Sequence, residues 1–404
     1  MGRRRFAPTA GVPLEAALAP RERQWTLFDR MHELARRAEA HDPAAPALGL
    51  FCATLALLAL GLLVQVSHAA TVAAPESDAG FWAELLGQTR FRLAGLVIVL
   101  VAARLGPGRL RPLVPALTIV SILMLVAVFV PGLGVERNGS HRWLGLFGQT
   151  IQPSELARVV VVLWLADRCV RLGPLVRDLR RGIAPMLGLV MGCFALIAAE
   201  TDLGGAILFL CCALATMWVG GARGSHVFGS LGTFGFGALV LCVALVPYIR
   251  QRVETFLGNS SNAQMESSLA AIGSGDLGGV GLALGEARNQ GVPYLDSDLV
   301  FAQVGEELGV VGLVLLAGLY LAFAWYAMRL VLSIPDRYEA LAAFGLLLCT
   351  ALQAMLHMQI VSGLAPPKGM TLPFLSDGGT SLLVSCLAVG LALGTVPRSR
   401  SAAT

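Results

Sequence analysis

Asp298 stands in PYLDSDLVFAQVGEELG, where a polar stretch gives way to an apolar run. A carboxylate there suits a general base that takes a proton from a substrate hydroxyl. It equally suits a cap on the helix that begins there, as does Asp296 two residues earlier. Glu306 and Glu307 follow inside the same run, where ionisable groups are costly and usually face a polar cavity. Lys368 is the one lysine among 30 basic residues and lies in LAPPKGMTLPFLSDGG. A compact ammonium on a flexible stem suits a phosphate or a tunable proton site. The plainer role is an interfacial anchor, against which Pro366, Pro367 and Gly369 argue for a shaped loop.

Three further groups carry charge. The segment NGSHRWLGLFGQTIQPSEL holds His141, Arg142, Trp143, Gln152, Pro153, Ser154 and Glu155. PSEL reads as a helix start. Arg142 and Trp143 serve equally as interfacial anchors, and His141 reads as a loop residue. In AAETDLGGA, Glu200 and Asp202 fall in a short turn. A tight turn needs polar caps in any case, and Gly204 and Gly205 allow close helix packing. Arg250, Arg252 and Arg288 form a basic set in the long loop that leads to Asp298. Guanidinium forks match pyrophosphate oxygens, and a solvated loop face is the alternative. Gln264 in the same long segment and Ser376 beside Lys368 complete the candidate substrate-binding residues: Lys368, Arg142, Glu155, Asp202, Gln264, Arg250, Arg288 and Ser376. P-loop, GxSxG, zinc and dinucleotide signatures are absent, so nucleotide and metalloprotease chemistry have no support.

The elements that position these residues are membrane spans. Of 404 residues, 56% are hydrophobic and 14% charged, against about 25% charged in soluble domains. A spanning helix needs about 20 mostly apolar residues. Such runs fall near 47–67, 92–106, 113–131, 155–171, 183–200, 203–220, 226–247, 306–330, 340–363 and 373–396. The second is short, and the fourth carries Arg158. Basic residues collect on the cytoplasmic side. The tail 1–45, the loops with Arg109 and Arg111 and with Arg168 through Arg181, Arg223, and Arg329 with Arg337 take that side, as does 398–404. Outer loops hold fewer, among them Arg90 and Arg92. The expectation is an all-α polytopic membrane protein with about ten spans in 46–397 and both termini cytoplasmic. Its large outer loop, 248–305, lies between the seventh and eighth spans. The apolar residues of that loop, Leu269, Ile272, Leu277, Val280, Leu282 and Leu284, argue for re-entrant or surface-lying segments. Segment 22–38 suits an interfacial amphipathic helix or a solvated one. The eight cysteines sit mostly inside apolar runs and read as small hydrophobes.

Taken together, these segments resemble the SEDS proteins, the shape, elongation, division and sporulation family that includes RodA and FtsW. NG-x-x-RW corresponds to Asn138, Gly139, Arg142 and Trp143, and QPSE to Gln152 through Glu155. PDLG corresponds to Thr201–Gly204, and AIGSGG to Ala271–Asp276. D-F-I-F-A-x-x-GEELG corresponds to Asp298–Gly309. P-x-KG-x-x-LP-F-I-S-x-GG-S-S corresponds to Pro366 through Ser381. The chain departs from the pattern at Tyr294 and Asp296, where glutamate and histidine are usual nearby. It also departs at Glu200–Thr201, His357, Gln359 and Asp377.

The resemblance implies a peptidoglycan glycosyltransferase that polymerises lipid II at the outer face of the bacterial cytoplasmic membrane. It implies Asp298 as the base for the acceptor sugar hydroxyl, a role that fits if burial raises its pKa toward the working pH. Lys368 and Arg142 are expected to balance pyrophosphate charge. No cofactor is expected with certainty, with a divalent cation as an option at the pyrophosphate. Lipid II, a class B penicillin-binding protein and other divisome or elongasome membrane proteins are the implied partners, and nucleic acid is not. A lipid II flippase and a non-catalytic scaffold are the competing readings, and division, elongation and sporulation roles all stay open.

Overall fold

The computed structural model describes residues 43–73, 78–137, 140–146, 149–237, 263–287, 292 and 294–396, with isolated positions at 33, 240, 244, 250, 251 and 254. The tail segment 22–38, apart from one position, Arg288 and most of 238–262 lie outside the described residues.

The chain is built from apolar helices. α1 covers Ala44–Ala73, α2 Asp78–Leu110 and α3 Val114–Ala127. After a small sheet come α4 (Pro153–Leu172), α5 (Ala184–Ala199), α6 (Leu203–Val219) and the short α7 (Gly224–Ser230). α8 (Ala263–Ser274) precedes α9 (Val300–Ser333), α10 (Arg337–Val361) and α11 (Gly379–Leu393). Five stretches are long and apolar enough to cross a membrane: Ala44–Ala70, Phe81–Ala127, Leu179–Ala199, Val300–Ser333 and Arg337–Val361. The second of these is 47 residues long, roughly twice a crossing, and holds the expected second and third spans. α6 and α11 are shorter apolar helices. The protein is therefore an all-α polytopic membrane protein.

Each helix has a local cause. Pro153 at the first turn starts α4, where its missing N–H leaves no donor unmet. Asp336 caps α10 by accepting from Glu339 N at 2.8 Å. Gly106, at φ 61, and Pro107 kink the end of α2. The buried core runs through the whole bundle, from Leu50 and Leu57 on α1 to Val389 and Leu391 on α11. α4 is the most polar core helix, and its buried charges are paired. Arg158 pairs with Glu155 one turn back, and Arg171 with Asp167 at 2.6 Å. Paired charges reduce the penalty of a membrane interior.

Two sequence expectations need correction. Arg90 and Arg92 lie within α2, not in an outer loop, because that helix extends well beyond its apolar window. Arg92 is buried, and its guanidinium donates to Leu375 O at 3.0 Å. The region before α4, read only as loop and helix start, contains an antiparallel sheet of β1 (Gly134–Arg137), β2 (Ser140–Leu146) and β3 (Gln149–Ile151). Its alternation is too short to stand out from the flanking spans. Within the long loop, α8 packs on α9, and Leu277, Leu282 and Leu284 are exposed in a surface-lying stretch.

Candidate active site at one mouth of the bundle

Asp298 sits in a turn just ahead of α9. Its N–H donates to Tyr294 O at 3.0 Å, as does Leu299 N at 3.1 Å. The N-cap position of α9 is Leu299, with no side-chain cap. Asp298 thus stands one residue outside the N-cap position. Its half-buried carboxylate packs against Gly369, where any Cβ would collide with Oδ2. A glycine at 369 thus lets the Lys368 loop pass directly beneath the Asp298 carboxylate.

Lys368 reaches the opposite way. Its Nζ lies 2.8 Å from Asp202 Oδ1, with both side chains largely buried. The lysine stem crosses the face of Gly204, where a side chain would strike Cδ, Cε and Nζ. Asp202 also caps α6, accepting from Gly205 N at 2.9 Å. The cap expected of a tight turn is thus present, and the same carboxylate is the charge partner of Lys368. Gln152 Nε2 approaches its other oxygen at 3.5 Å. Arg142, from β2, donates to Thr201 O at 2.7 Å and to Glu200 O at 3.3 Å. Its charge thereby lies over the short turn that carries Glu200 and Asp202.

The electrostatics of this group follow from its partial burial. Burial alone would raise the Asp202 carboxyl, but Lys368 and Arg142 outweigh it and hold it well below the usual carboxylate range. Burial lowers Lys368 from the usual lysine value, and Asp202 opposes that only in part. Glu200 is pushed up to about 8, by burial first and Asp202 second, against the pull of Arg142. Near neutral pH, Lys368, Arg142, Asp202 and a mostly protonated Glu200 carry a net positive charge.

Two loops are bound together around Asp298. Asp377 N donates to Asp296 O at 3.0 Å, and Ser376 Oγ donates to Ser297 O at 2.6 Å. α1 adds Gln65 Nε2, bonding Asp296 O at 2.9 Å and Leu375 O at 3.2 Å, and His68, 3.5 Å from Asp296. Ser376, expected to bind substrate, is buried and joins these loops. Glu155 is nearly buried and pairs with Arg158, whose NH1 donates to Gln353 at 3.0 Å. Glu306 and Glu307 anchor the long loop. Glu306 accepts from Glu286 N and Ala287 N at 2.7 and 2.9 Å, and Glu307 from Ser67 Oγ at 2.6 Å.

Of the predicted site residues, Asp298, Lys368, Asp202 and Arg142 are brought to one mouth of the bundle. Gln264 lies half-buried in the first turn of α8. Arg250 is exposed and pairs with Glu254 at 2.8 Å, so its charge is matched locally. Arg288 lies outside the described residues. Sequence reading missed Arg158 and Gln353 as site residues, and it marked Gln152 only as part of the QPSE segment. Polar residues inside otherwise apolar runs were the available signal.

Fold and site together define a multi-pass membrane protein with a partly buried, net-positive acid–base cluster at one mouth. A family model described as "Cell cycle protein" (FTSW_RODA_SPOVE) matches residues 48–400. The chain belongs to this family, the SEDS proteins. It is 33% identical to Stage V sporulation protein E of Bacillus subtilis over 88% of this chain and 98% of that protein. It is 35% identical to the probable peptidoglycan glycosyltransferase FtsW of Thioalkalivibrio sulfidiphilus over 86% and 88%. Among solved structures it resembles a chain from work titled "Structural coordination of polymerization and crosslinking by a peptidoglycan synthase complex". That match has a TM-score of 0.72 and 26% identity over 87% of this chain and 98% of that one. The Thermus thermophilus rod shape determining protein RodA matches with a TM-score of 0.63 and 26% identity over 86% and 96%.

Proposed function

We infer that this chain is a peptidoglycan glycosyltransferase, polymerising lipid II at the outer face of a bacterial cytoplasmic membrane. The observation that carries the reading is the Asp298 carboxylate packed on Gly369, adjacent to Lys368, beside a net-positive cluster. Family membership and the activity in the relatives' names support it.

Asp298 takes the proton from the acceptor's sugar hydroxyl as that oxygen attacks the donor's anomeric carbon. The new C–O bond forms as the bond to the donor's pyrophosphate breaks, and undecaprenyl pyrophosphate leaves. Arg142 and Lys368 offset the charge that develops on the leaving phosphate. Asp202 holds Lys368 in place, so the ammonium is positioned before substrate arrives. A divalent cation at the pyrophosphate would draw its ligands chiefly from the phosphates. Among the described residues no three His, Cys, Asp or Glu side chains are grouped as metal ligands. A crosslinking partner of the class B penicillin-binding type fits the reading, supported by the synthase-complex similarity.

The test is polymerisation of labelled lipid II by the purified chain in detergent. Wild type yields glycan chains, and Asp298→Ala loses them by about 10²–10⁴-fold while the protein stays folded. Normal polymerisation by Asp298→Ala overturns the base assignment. Wild type that only moves labelled lipid between leaflets of a vesicle would establish the flippase instead.

A further inference from the structure

The stretch 366–371 is irregular, and among the described residues it makes no backbone–backbone hydrogen bond. Yet it must hold two groups at once: Lys368 on Asp202, and Gly369 under Asp298. Something other than its own backbone sets its position.

α10 touches this stretch at two points one helical turn apart. Gln353 Nε2 donates to Thr371 O at 3.1 Å and to Thr371 Oγ1 at 3.2 Å, with Ser381 Oγ at 3.1 Å. His357, four residues on and so on the same helix face, bonds Met370 O through Nδ1. A carbonyl oxygen only accepts, so Nδ1 carries the proton. Nε2 is buried and has no hydrogen-bond partner among the described residues. His357 is 1% exposed. A buried acceptor without a donor is unfavourable, so what the imidazole contributes here comes from its bond to Met370. The Gln353 amide is oriented as well. Its Oε1 accepts from Arg158, which leaves Nε2 facing Thr371.

We propose that Gln353 and His357 form a two-point clamp that fixes Met370 and Thr371 and thereby sets Gly369 against Asp298 and Lys368 against Asp202. They are positioning residues for the glycosyl transfer, and the proposal rests on the function inferred above. They touch neither reacting atom. Their effect reaches the chemistry through one and two residues of backbone. A displacement of about 1 Å at such a distance costs on the order of 10²-fold in rate.

The experiment uses the full chain and three variants. His357→Leu removes the donor to Met370. His357→Asn keeps one, because the asparagine amide nitrogen occupies the topological position of Nδ1. Gln353→Glu keeps the size and the Arg158 partner but removes the donor to Thr371. Steady-state polymerisation of lipid II gives kcat and KM for each. Hydrogen exchange of peptides covering 366–372 reports the loop directly. His357→Leu and Gln353→Glu are expected to lower kcat by about ten- to a hundredfold, with KM little changed. Both should also speed exchange in 366–372 and not within α10. His357→Asn is expected to restore both readouts.

Wild-type kcat and wild-type exchange in His357→Leu would overturn the clamp. Equal impairment of the Leu and Asn variants would do the same, since side-chain volume would then be what matters. Should the wild-type chain itself not polymerise lipid II, the function fails. The clamp is then decided by the exchange readout alone, with faster exchange in Leu but not Asn upholding it.

Discussion

The two ends of the bundle use the same chemical groups to opposite effect. At the far end of α4, Asp167 is buried and accepts from Arg111 Nε at 2.7 Å and Arg171 Nε at 2.6 Å. The Arg111 guanidinium lies 4.6 Å from the centre of the Tyr338 ring, and Tyr338 donates to Pro107 O at 3.2 Å. This cluster ties α2, α4 and α10 together. At the near end of the same helix, Asp202, Lys368 and Arg142 meet through a turn, a loop and a strand instead. The backbones differ in the same sense. Left-handed φ beside the Asp167 end falls on glycines: Gly106, Gly173 and Gly221. At the Asp298 end it falls also on Thr201, Asp276, Ala283, Tyr294 and Phe374. Such residues cost on the order of 1–3 kcal/mol each and persist where surrounding contacts over-determine them. One end is a relaxed ionic closure, and the other is a strained, pre-arranged site.

The comparison can be broken most directly at Lys368. Lys368→Ala is expected to reduce polymerisation by about 10²–10³-fold. It should also destabilise the protein, by up to about 3–5 kcal/mol, because buried Asp202 loses the ammonium it pairs with and keeps only Arg142 nearby. Adding Asp202→Asn should recover most of the stability and none of the rate, measured by thermal unfolding in detergent and by product formation. Recovery of both would make the pair structural, as at the Asp167 end.

A smaller effect tests that opposite end. Asp167→Asn is expected to lower stability by about 1–2 kcal/mol, a modest figure because Arg171 is more than half exposed. Its kcat on lipid II should match wild type. A large loss of kcat at unchanged stability would mean that the two ends are coupled.

The smallest effect is in pH. The Glu200 carboxyl, pushed up to about 8, is mostly neutral at pH 7 and ionises as pH rises through that value. The added negative charge beside Asp202 should raise KM for lipid II by less than about tenfold between pH 7 and 9. Glu200→Gln should flatten that rise. A KM that climbs equally in the variant would assign the titration to another group, Lys368 first among them.

Much of this was legible in the chain, and the reasons are local. Spans appear as apolar runs because a bilayer demands about 20 such residues in sequence order. α5 and α6 begin and end within a residue or so of where their hydropathy runs do. Type and setting mark Asp298, Lys368 and Asp202: a carboxylate at the start of a span, a solitary lysine among prolines, an acid in a short turn. Arg142 stands in the NG-x-x-RW segment. Arg92 was misplaced, because a helix that continues past its apolar stretch leaves no hydropathy trace. Only backbone geometry places Leu299, not Asp298, at the N-cap position of α9.

By itself, then, the sequence determined that this is a polytopic membrane protein of the SEDS family and which charged residues stand at its loops and span ends. Both follow from local composition and short motifs. Only the tertiary structure decided which charges meet. Lys368 pairs with an aspartate far back in the chain at Asp202, and Asp298 rests on Gly369. Gln353 and His357 turn a plain stretch of α10 into the support of a loop that makes no backbone–backbone hydrogen bond among the described residues. Such pairings depend on distances across the bundle, set by how helices pack and where loops cross. No pattern read along one chain carries that information.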